Sequence, residues 1–272
     1  MLLFNNHVHT EFSHDATGSI DSIATEAIRN GLFGFSVSDH CDCEYISDSH
    51  LKSVLDSSFF SAETAKQKYN DKLIISCGVE IGEAIFDNSV ASAVISSHPW
   101  DVVLGSVHAV RMNGFDMPFS QIDFSTMSDE FITEYTDRYF EDLYDTACSC
   151  DYDILSHLNV IFRYIKYKFN RNIAMERYYP VCDKILRVLI SRNKSLEINT
   201  SGYKDGYFMP DYDLLKMYKD LGGKNISIGS DSHRPSDITS GLIEGHKLVK
   251  QLGFNEITYY IDRKPYNYEI NN

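Results

Sequence analysis

The chain has 272 residues, enough for one large domain or two small ones, and 43% of them are hydrophobic, which is ample for a core. A formal net charge of −14 argues against a nucleic-acid backbone as a partner. No apolar run approaches the ~18 residues of a membrane span. Six cysteines in a chain this long do not make a disulfide framework. The start of the chain also lacks the basic region of a signal peptide. We therefore expect a soluble cytoplasmic protein whose oligomeric state stays open.

The first predicted strand ends in a pair of histidines. The apolar run at residues 2–4 leads into His7 and His9, whose side chains share one face of a strand about 7 Å apart. Two imidazoles in this arrangement can hold one cation, although an isolated pair can equally be two polar loop histidines. The rest of the chain favours the metal, because further strands also end in potential ligands.

Strands and helices alternate along the chain. After the first strand, strands are predicted at 34–38, 73–79, 101–107, 152–156, 196–199, 226–229 and 257–260. Helices are predicted after Ser19 up to Gly31, over most of 47–71, at 89–97, 128–147 and 178–192, from Asp211 to Gly222, and at 236–252. This alternation predicts an α/β protein with parallel strands, curled into a barrel or a doubly wound sheet. A barrel fits better, because it gives the polar strand ends one common mouth.

Two connecting segments stand out. The loop at 109–125 is too long for a simple turn, and insertions of this kind often cover an active site. Residues 158–175 carry the main basic concentration of the acidic chain, interleaved with aromatic residues. This basic stretch is the feature that would support a nucleotide as substrate.

The predicted strand ends share side chains that bind metals. They are His7, His9, His40, Glu80, His108, His157, Asp231 and His233, and His14 lies in the loop after the first strand. In a closed barrel these residues stand around the C-terminal rim, where barrel active sites lie. Because a catalytic zinc takes three protein ligands, seven histidines and two carboxylates fit two or three divalent ions better than one. Imidazole and carboxylate suit Zn, Fe and Mn alike.

The same residues stand in motifs that resemble the PHP (polymerase and histidinol phosphatase) family. The motifs are HxHT from His7, SDH at 38–40, GVE at 78–80, the isolated His108 and His157, and SDxH at 230–233. They occur in the order of the family and span nearly the whole chain. The GSVH at 105–108, the run at 197–202 and the length resemble the stand-alone histidinol-phosphatases more than the polymerase-linked domains.

The resemblance implies a distorted (βα)7 TIM-like barrel, one domain over residues 1–272, with a trinuclear metal site. By this likeness the first ion is held by His7, His9, Glu80 and Asp231. Glu80 bridges to a second ion, which is also held by His108 and His157. The third ion is held by His14, His40 and His233. Asp39 is expected to orient a histidine rather than to bind a metal.

The implied activity is that of a phosphomonoesterase. Its substrate would be a small phosphorylated metabolite, L-histidinol phosphate, which is cleaved to L-histidinol and phosphate in histidine biosynthesis. A hydroxide that bridges two ions, held through Glu80 and Asp231, would be nucleophilic near neutral pH. Arg163 and then Lys204 are the expected phosphate-binding residues. Related phosphatases often have an arginine at position 204, and a lysine offers a point charge instead of a two-pronged fork.

Three alternatives stay open. The same site can act on another small phosphate ester or on a nucleotide. An amidohydrolase barrel also opens with HxH, but it usually places a lysine or a glutamate at its fourth strand end, where this chain has His108. A catalytically silent metal-binding protein has no supporting feature in the sequence.

Overall fold

A nearly closed parallel barrel forms the framework of the protein. The computed structural model describes residues 1–43, 49–112 and 117–270. In this part of the chain seven parallel strands follow one another around the sheet in sequence order. They are β1 Phe4–Val8, β2 Gly34–Asp42, β3 Ile74–Gly82, β4 Val102–Ser106, β5 Ile154–Leu155, β6 Ser195–Asn199 and β7 Ile226–Gly229. The distorted barrel predicted from the sequence is confirmed.

Helices connect successive strands on the outside of the barrel. They are α1 Ile20–Arg29, α2 Ser49–Lys68, α3 Asn88–Ser97, α4 Asp129–Ser149, α5 Tyr179–Ser191, α6 Tyr212–Asp220 and α7 Leu242–Gln251. Ser19 and Asp211 cap their helices as predicted, each accepting a backbone N–H of the first turn. Of the predicted segments, residues 47–48 of one helix and 113–116 of the long loop lie outside the described residues. None of the described helices has the length and apolar character needed to cross a membrane.

Strands β2 and β3 are longer than predicted. They pair along nine residues, and this pairing places His40 directly beside Glu80. Both side chains therefore project from regular strand positions rather than from the loops that follow. Strand β5, in contrast, is only two residues long, where five were predicted.

Asparagine side chains help to close the seam between β1 and β7, where the backbone pairing is a single bridge between Val8 and Ser232. The Asn5 amide donates to Ser230 Oγ (2.6 Å) and to the Ile238 carbonyl (2.7 Å), and its oxygen accepts the Ser230 N–H (2.9 Å). The Asn6 amide donates to the carbonyls of Ile228 and Thr258. These side-chain hydrogen bonds, next to His7, replace part of the backbone hydrogen bonding that is absent between β1 and β7.

A C-terminal hairpin closes the end of the barrel opposite the strand C-termini. It pairs β8 Glu256–Ile261 with β9 Lys264–Glu269 in antiparallel fashion, so the prediction of a single strand at 257–260 was incomplete. Its two-residue turn, Asp262 and Arg263, has positive φ at both positions without the Asn-Gly pair that usually signals such a turn. Within the barrel, the Tyr260 hydroxyl lies 2.8 Å from Ser195 Oγ, and Ser76 donates to the Tyr260 carbonyl.

The segment before this hairpin also differs from the prediction. A helix was expected over 236–252, but Pro235–Asp237 forms a 3-10 turn and α7 begins only at Leu242. Gly241, with φ 70°, separates the two and interrupts the helical path.

Replacing Asn5 tests the seam. Asn5→Ala leaves the Ser230 N–H and the Ile238 carbonyl without their partner, so we expect the free energy of unfolding to fall by about 2–3 kcal/mol. Denaturant unfolding followed by circular dichroism measures it. Asn30→Ala is the control, because the Asn30 amide bonds a helix carbonyl at an exposed position. Equal stability of the two variants would contradict the role of Asn5.

Candidate metal centre

Four of the predicted ligands form a compact group at the mouth of the barrel, and three of them, His7, His9 and Glu80, are fully buried. His7 Nε2 lies 3.0 Å from His9 Nε2 and 3.4 Å from Glu80 Oε2. Asp231 Oδ1 lies 3.2 Å from His9 Nε2 and 3.6 Å from His7 Nε2. Metal–ligand bonds of about 2.0–2.1 Å at a tetrahedral angle place ligand atoms about 3.3 Å apart. The spacing in this inner group is therefore that of side chains around one cation.

A second group gathers around the other oxygen of Glu80. Glu80 Oε1 lies 3.0 Å from His157 Nε2 and 3.4 Å from His108 Nε2, and these two nitrogens are 3.4 Å apart. Glu80 thus directs one carboxylate oxygen to each group. Its arrangement has the geometry of a bridge between two cations.

His40 and His233, which were predicted to hold a third ion together with His14, lie beside an acid that was not predicted from the sequence. Asp15 Oδ2 lies 3.2 Å from His233 Nε2, and Asp15 Oδ1 lies 3.7 Å from His40 Nε2. The ring centroid of His14 lies 5.5 Å from that of His40, and that of His233 lies 5.9 Å from it. Asp15 was missed because it lies in the loop after β1, not at a strand end, and its one signal was its position directly after His14.

The Nδ1 atoms of His7 and His9 form hydrogen bonds that leave Nε2 as the metal-binding atom of each ring. His7 Nδ1 lies 2.6 Å from Glu197 Oε1, to which it donates. His9 Nδ1 lies 3.0 Å from Ser13 Oγ, whose own proton goes to Asp39. With Nδ1 engaged in this way, Nε2 of each ring is the atom left to bind a shared cation.

The buried carboxylate of Glu80 gives a second test of the fit. Glu80 Oε2 is fully buried and accepts no hydrogen bond of good geometry among the described residues, although His40 Nδ1 lies 3.0 Å away. A buried carboxylate oxygen without a donor is costly unless a cation or a water satisfies it. Together with the facing imidazoles, this oxygen indicates that the centre binds divalent metal ions.

The charges of the centre depend strongly on one another. Burial by itself would lower the pKa of His7, but Glu197, Glu80 and Asp231 outweigh it and raise that pKa well above its usual value. Burial and the neighbouring His40 lower the pKa of His9 to about 3. Burial would raise the pKa of Glu80, yet the surrounding histidines hold it well below its usual range. Metal binding to such a cluster displaces protons from the histidines that carry them.

Further acids position the ligands without belonging to these groups. Glu197 holds the His7 ring through Oε1 and accepts the His157 backbone N–H through Oε2 at 2.7 Å. In the sequence, Glu197 stood out only as part of a family motif. Asp39 contacts His9 only through Ser13, so the orienting role predicted for it would act indirectly.

The two predicted phosphate-binding residues lie in different surroundings. Arg163 lines a cavity of about 100 Å³ over the centre, 3.8 Å from Asp231 Oδ2, and it donates to the Ser201 hydroxyl. Lys204 is outside the residues that line this cavity. Its side chain is 70% exposed and forms an ion pair with Asp237 at 3.0 Å.

Comparisons with known proteins agree with this geometry. A family model described as PHP domain matches residues 5–201. A histidinol-phosphatase of Lactococcus lactis is 30% identical over 95% of this chain and 94% of its own, and a probable histidinol-phosphatase of Thermotoga maritima is 29% identical over 93% of each. The crystal structure of the Lactococcus lactis histidinol phosphate phosphatase in complex with zinc, L-histidinol and phosphate has a TM-score of 0.81, with 27% identity over 97% of this chain and 98% of that one. This chain belongs to the PHP family.

Proposed function

We propose that this protein is a metal-dependent phosphomonoesterase that hydrolyses L-histidinol phosphate to L-histidinol and phosphate. The observation that carries the proposal is the bridging geometry of Glu80 between two groups of imidazoles. The relative of similar fold binds zinc, L-histidinol and phosphate, and the relatives that match nearly the full chain are named histidinol-phosphatases. The single domain over residues 1–272 and the cytoplasmic location stay predictions.

Two or three divalent ions fit the ligands. The inner group of His7, His9, Glu80 and Asp231 would hold one, and Glu80, His108 and His157 a second. His40 and His233, with Asp15 and His14 beside them, would hold a third. Zinc is the proposed ion, because it is the ion bound by the structurally similar relative. Divalent ions bound here supply charge that offsets the phosphate oxygens and lower the pKa of a water molecule to about 7.

The residues around the cavity are suited to hold a phosphate ester. The Arg163 side chain is three-quarters buried, and its guanidinium is kept in place by Ser201 and by the Tyr207 hydroxyl at 3.4 Å. An arginine fixed in this way presents its remaining N–H groups to phosphate oxygens at little entropic cost. Lys204 is the second candidate, but it would first have to leave Asp237.

The size of the cavity favours a small ester. About 100 Å³ beside Phe119 and Tyr164 suits a short chain with one ring better than a nucleotide. The basic stretch that supported a nucleotide is partly used within the protein, because Arg171 donates to the carbonyls of Phe124 and Met127 and pairs with Asp129.

A panel of phosphate esters tests the substrate. We expect kcat/KM for L-histidinol phosphate to exceed that for p-nitrophenyl phosphate and for a nucleoside monophosphate by about 100-fold or more, because polar recognition of the substrate discriminates strongly. Phosphate release measures all three. Equal values would leave a general phosphoesterase and remove the histidinol assignment.

Replacing Glu80 tests the bridge. Glu80→Ala removes a ligand from two groups at once, so we expect turnover to fall to background and elemental analysis to find at least one ion fewer per chain. Glu63→Ala is the control, since Glu63 is a partly exposed glutamate of α2 that pairs with Lys66. Retention of activity and of all ions by Glu80→Ala would contradict the bridge.

Replacing Arg163 tests phosphate binding. Arg163→Ala is expected to raise KM by about 10- to 100-fold, the worth of a hydrogen bond to a charged group, with a smaller effect on kcat. Lys204→Ala is measured beside it. An unchanged KM in either variant would remove that residue from the phosphate site.

A further inference from the structure

A pair of carboxylates lies beside His108 without belonging to the proposed metal groups. Asp42 is the last residue of β2, and Glu83 directly follows β3. Each offers an oxygen within 4.8 Å of a His108 ring nitrogen and of the other carboxylate. Acids placed so close together behind a metal ligand need a physical reason.

Glu83 holds the backbone at His108. Its side chain is 2% exposed, and Oε1 accepts the backbone N–H of His108 and that of Ala109, the latter at 2.9 Å. The Glu83 backbone adopts φ 51°, in the left-handed region. Glu83 therefore fixes where the Cα of His108 lies, but it leaves the ring free to rotate.

Asp42 holds the ring. Asp42 Oδ1 lies 3.2 Å from His108 Nδ1, while Nε2 on the other side of the ring faces Glu80 Oε1 and His157 Nε2. A proton on Nδ1 that is donated to Asp42 leaves the Nε2 lone pair directed at the metal position. Carboxylates behind metal-binding histidines commonly fix both the ring and its tautomer in this way.

Gly82 provides the space that Asp42 occupies. In the parallel pairing of β2 and β3, Asp42 lies directly beside Gly82. A Cβ atom at position 82 would lie 2.2 Å from Asp42 Oδ1 and 3.1 Å from His108 Nδ1. Gly82 is not among the glycines with positive φ, so the constraint is the space and not the backbone conformation.

We propose that Asp42 is a positioning residue that fixes the ring and the tautomer of His108 for the second metal group, in a space that Gly82 leaves open. Its kinetic consequence rests on the proposed phosphatase function. Its consequence for metal retention does not, since that depends only on His108 as a ligand.

The test measures zinc retention and kinetics separately. Asp42→Asn keeps the shape but removes the charge, so we expect the most weakly held zinc of the holoenzyme to dissociate about 10- to 100-fold more readily in a competition with a chromogenic chelator. In the kinetics kcat at subsaturating zinc should fall by a similar factor, while KM changes little. Circular dichroism establishes that the variant is folded.

Asp56→Asn is the matched control. Asp56 Oδ1 lies 2.9 Å from Nε2 of His98, a histidine remote from the centre, so this variant loses a pair of the same chemistry. Its zinc retention and kcat should equal those of the unmodified protein. If Asp56→Asn lost zinc as readily as Asp42→Asn, the loss would not depend on contact with His108, and the proposal would be overturned.

Removing the side chain gives the second test. Asp42→Gly leaves His108 Nδ1 without its partner at 3.2 Å, so zinc retention should weaken at least as much as in Asp42→Asn. Full zinc retention by both Asp42→Asn and Asp42→Gly would overturn the proposal. Loss of one ion even at saturating zinc would also overturn it, since Asp42 would then be a ligand. If the zinc results hold but histidinol phosphate is not cleaved, only the proposed function fails.

Discussion

The sharing of Glu80 between two groups of imidazoles is the constraint on which the centre depends. One carboxylate, fully buried in the middle of a strand, faces His7 and His9 with one oxygen and His108 and His157 with the other. Burying such a charge is costly without compensation. The long pairing of β2 with β3 holds it in place, and the cations that the geometry indicates would supply the compensation.

The histidines gain their directionality from groups behind them. Glu197 stands behind His7, the Ser13–Asp39 pair behind His9, and a backbone carbonyl behind His233 at 2.9 Å. Each of these bonds places a proton on Nδ1 and leaves Nε2 for a metal. The centre therefore has two layers: the side chains that face the proposed metal positions, and the groups behind them that hydrogen-bond to the histidines. The second layer contributes much of the buried polar surface around the centre.

The sequence indicated which side chains meet at the rim of the barrel, but it did not indicate the groups that lie behind them, for a physical reason. His7, Glu80 and Asp231 could be identified because parallel strands in a barrel bring their C-terminal ends to one rim. Glu197 and Asp15 could not be identified in this way, since their roles depend on which ring they face in three dimensions. The hairpin at β8 and β9 was missed in part because its turn uses Asp262 and Arg263 in place of glycine. The exposed ion pair of Lys204 with Asp237 likewise has no signature in the sequence.

The seam between β1 and β7 bears on how the protein is made on the ribosome. Asn5 and its partner Ser230 lie 225 residues apart in the chain, so the first strand emerges roughly 10–45 s before the strand that it must meet. During that interval His7 and His9 lack Asp231, and the nascent chain holds only part of its proposed metal-binding set. The complete centre can therefore assemble only late in translation, after most of the barrel has been synthesised.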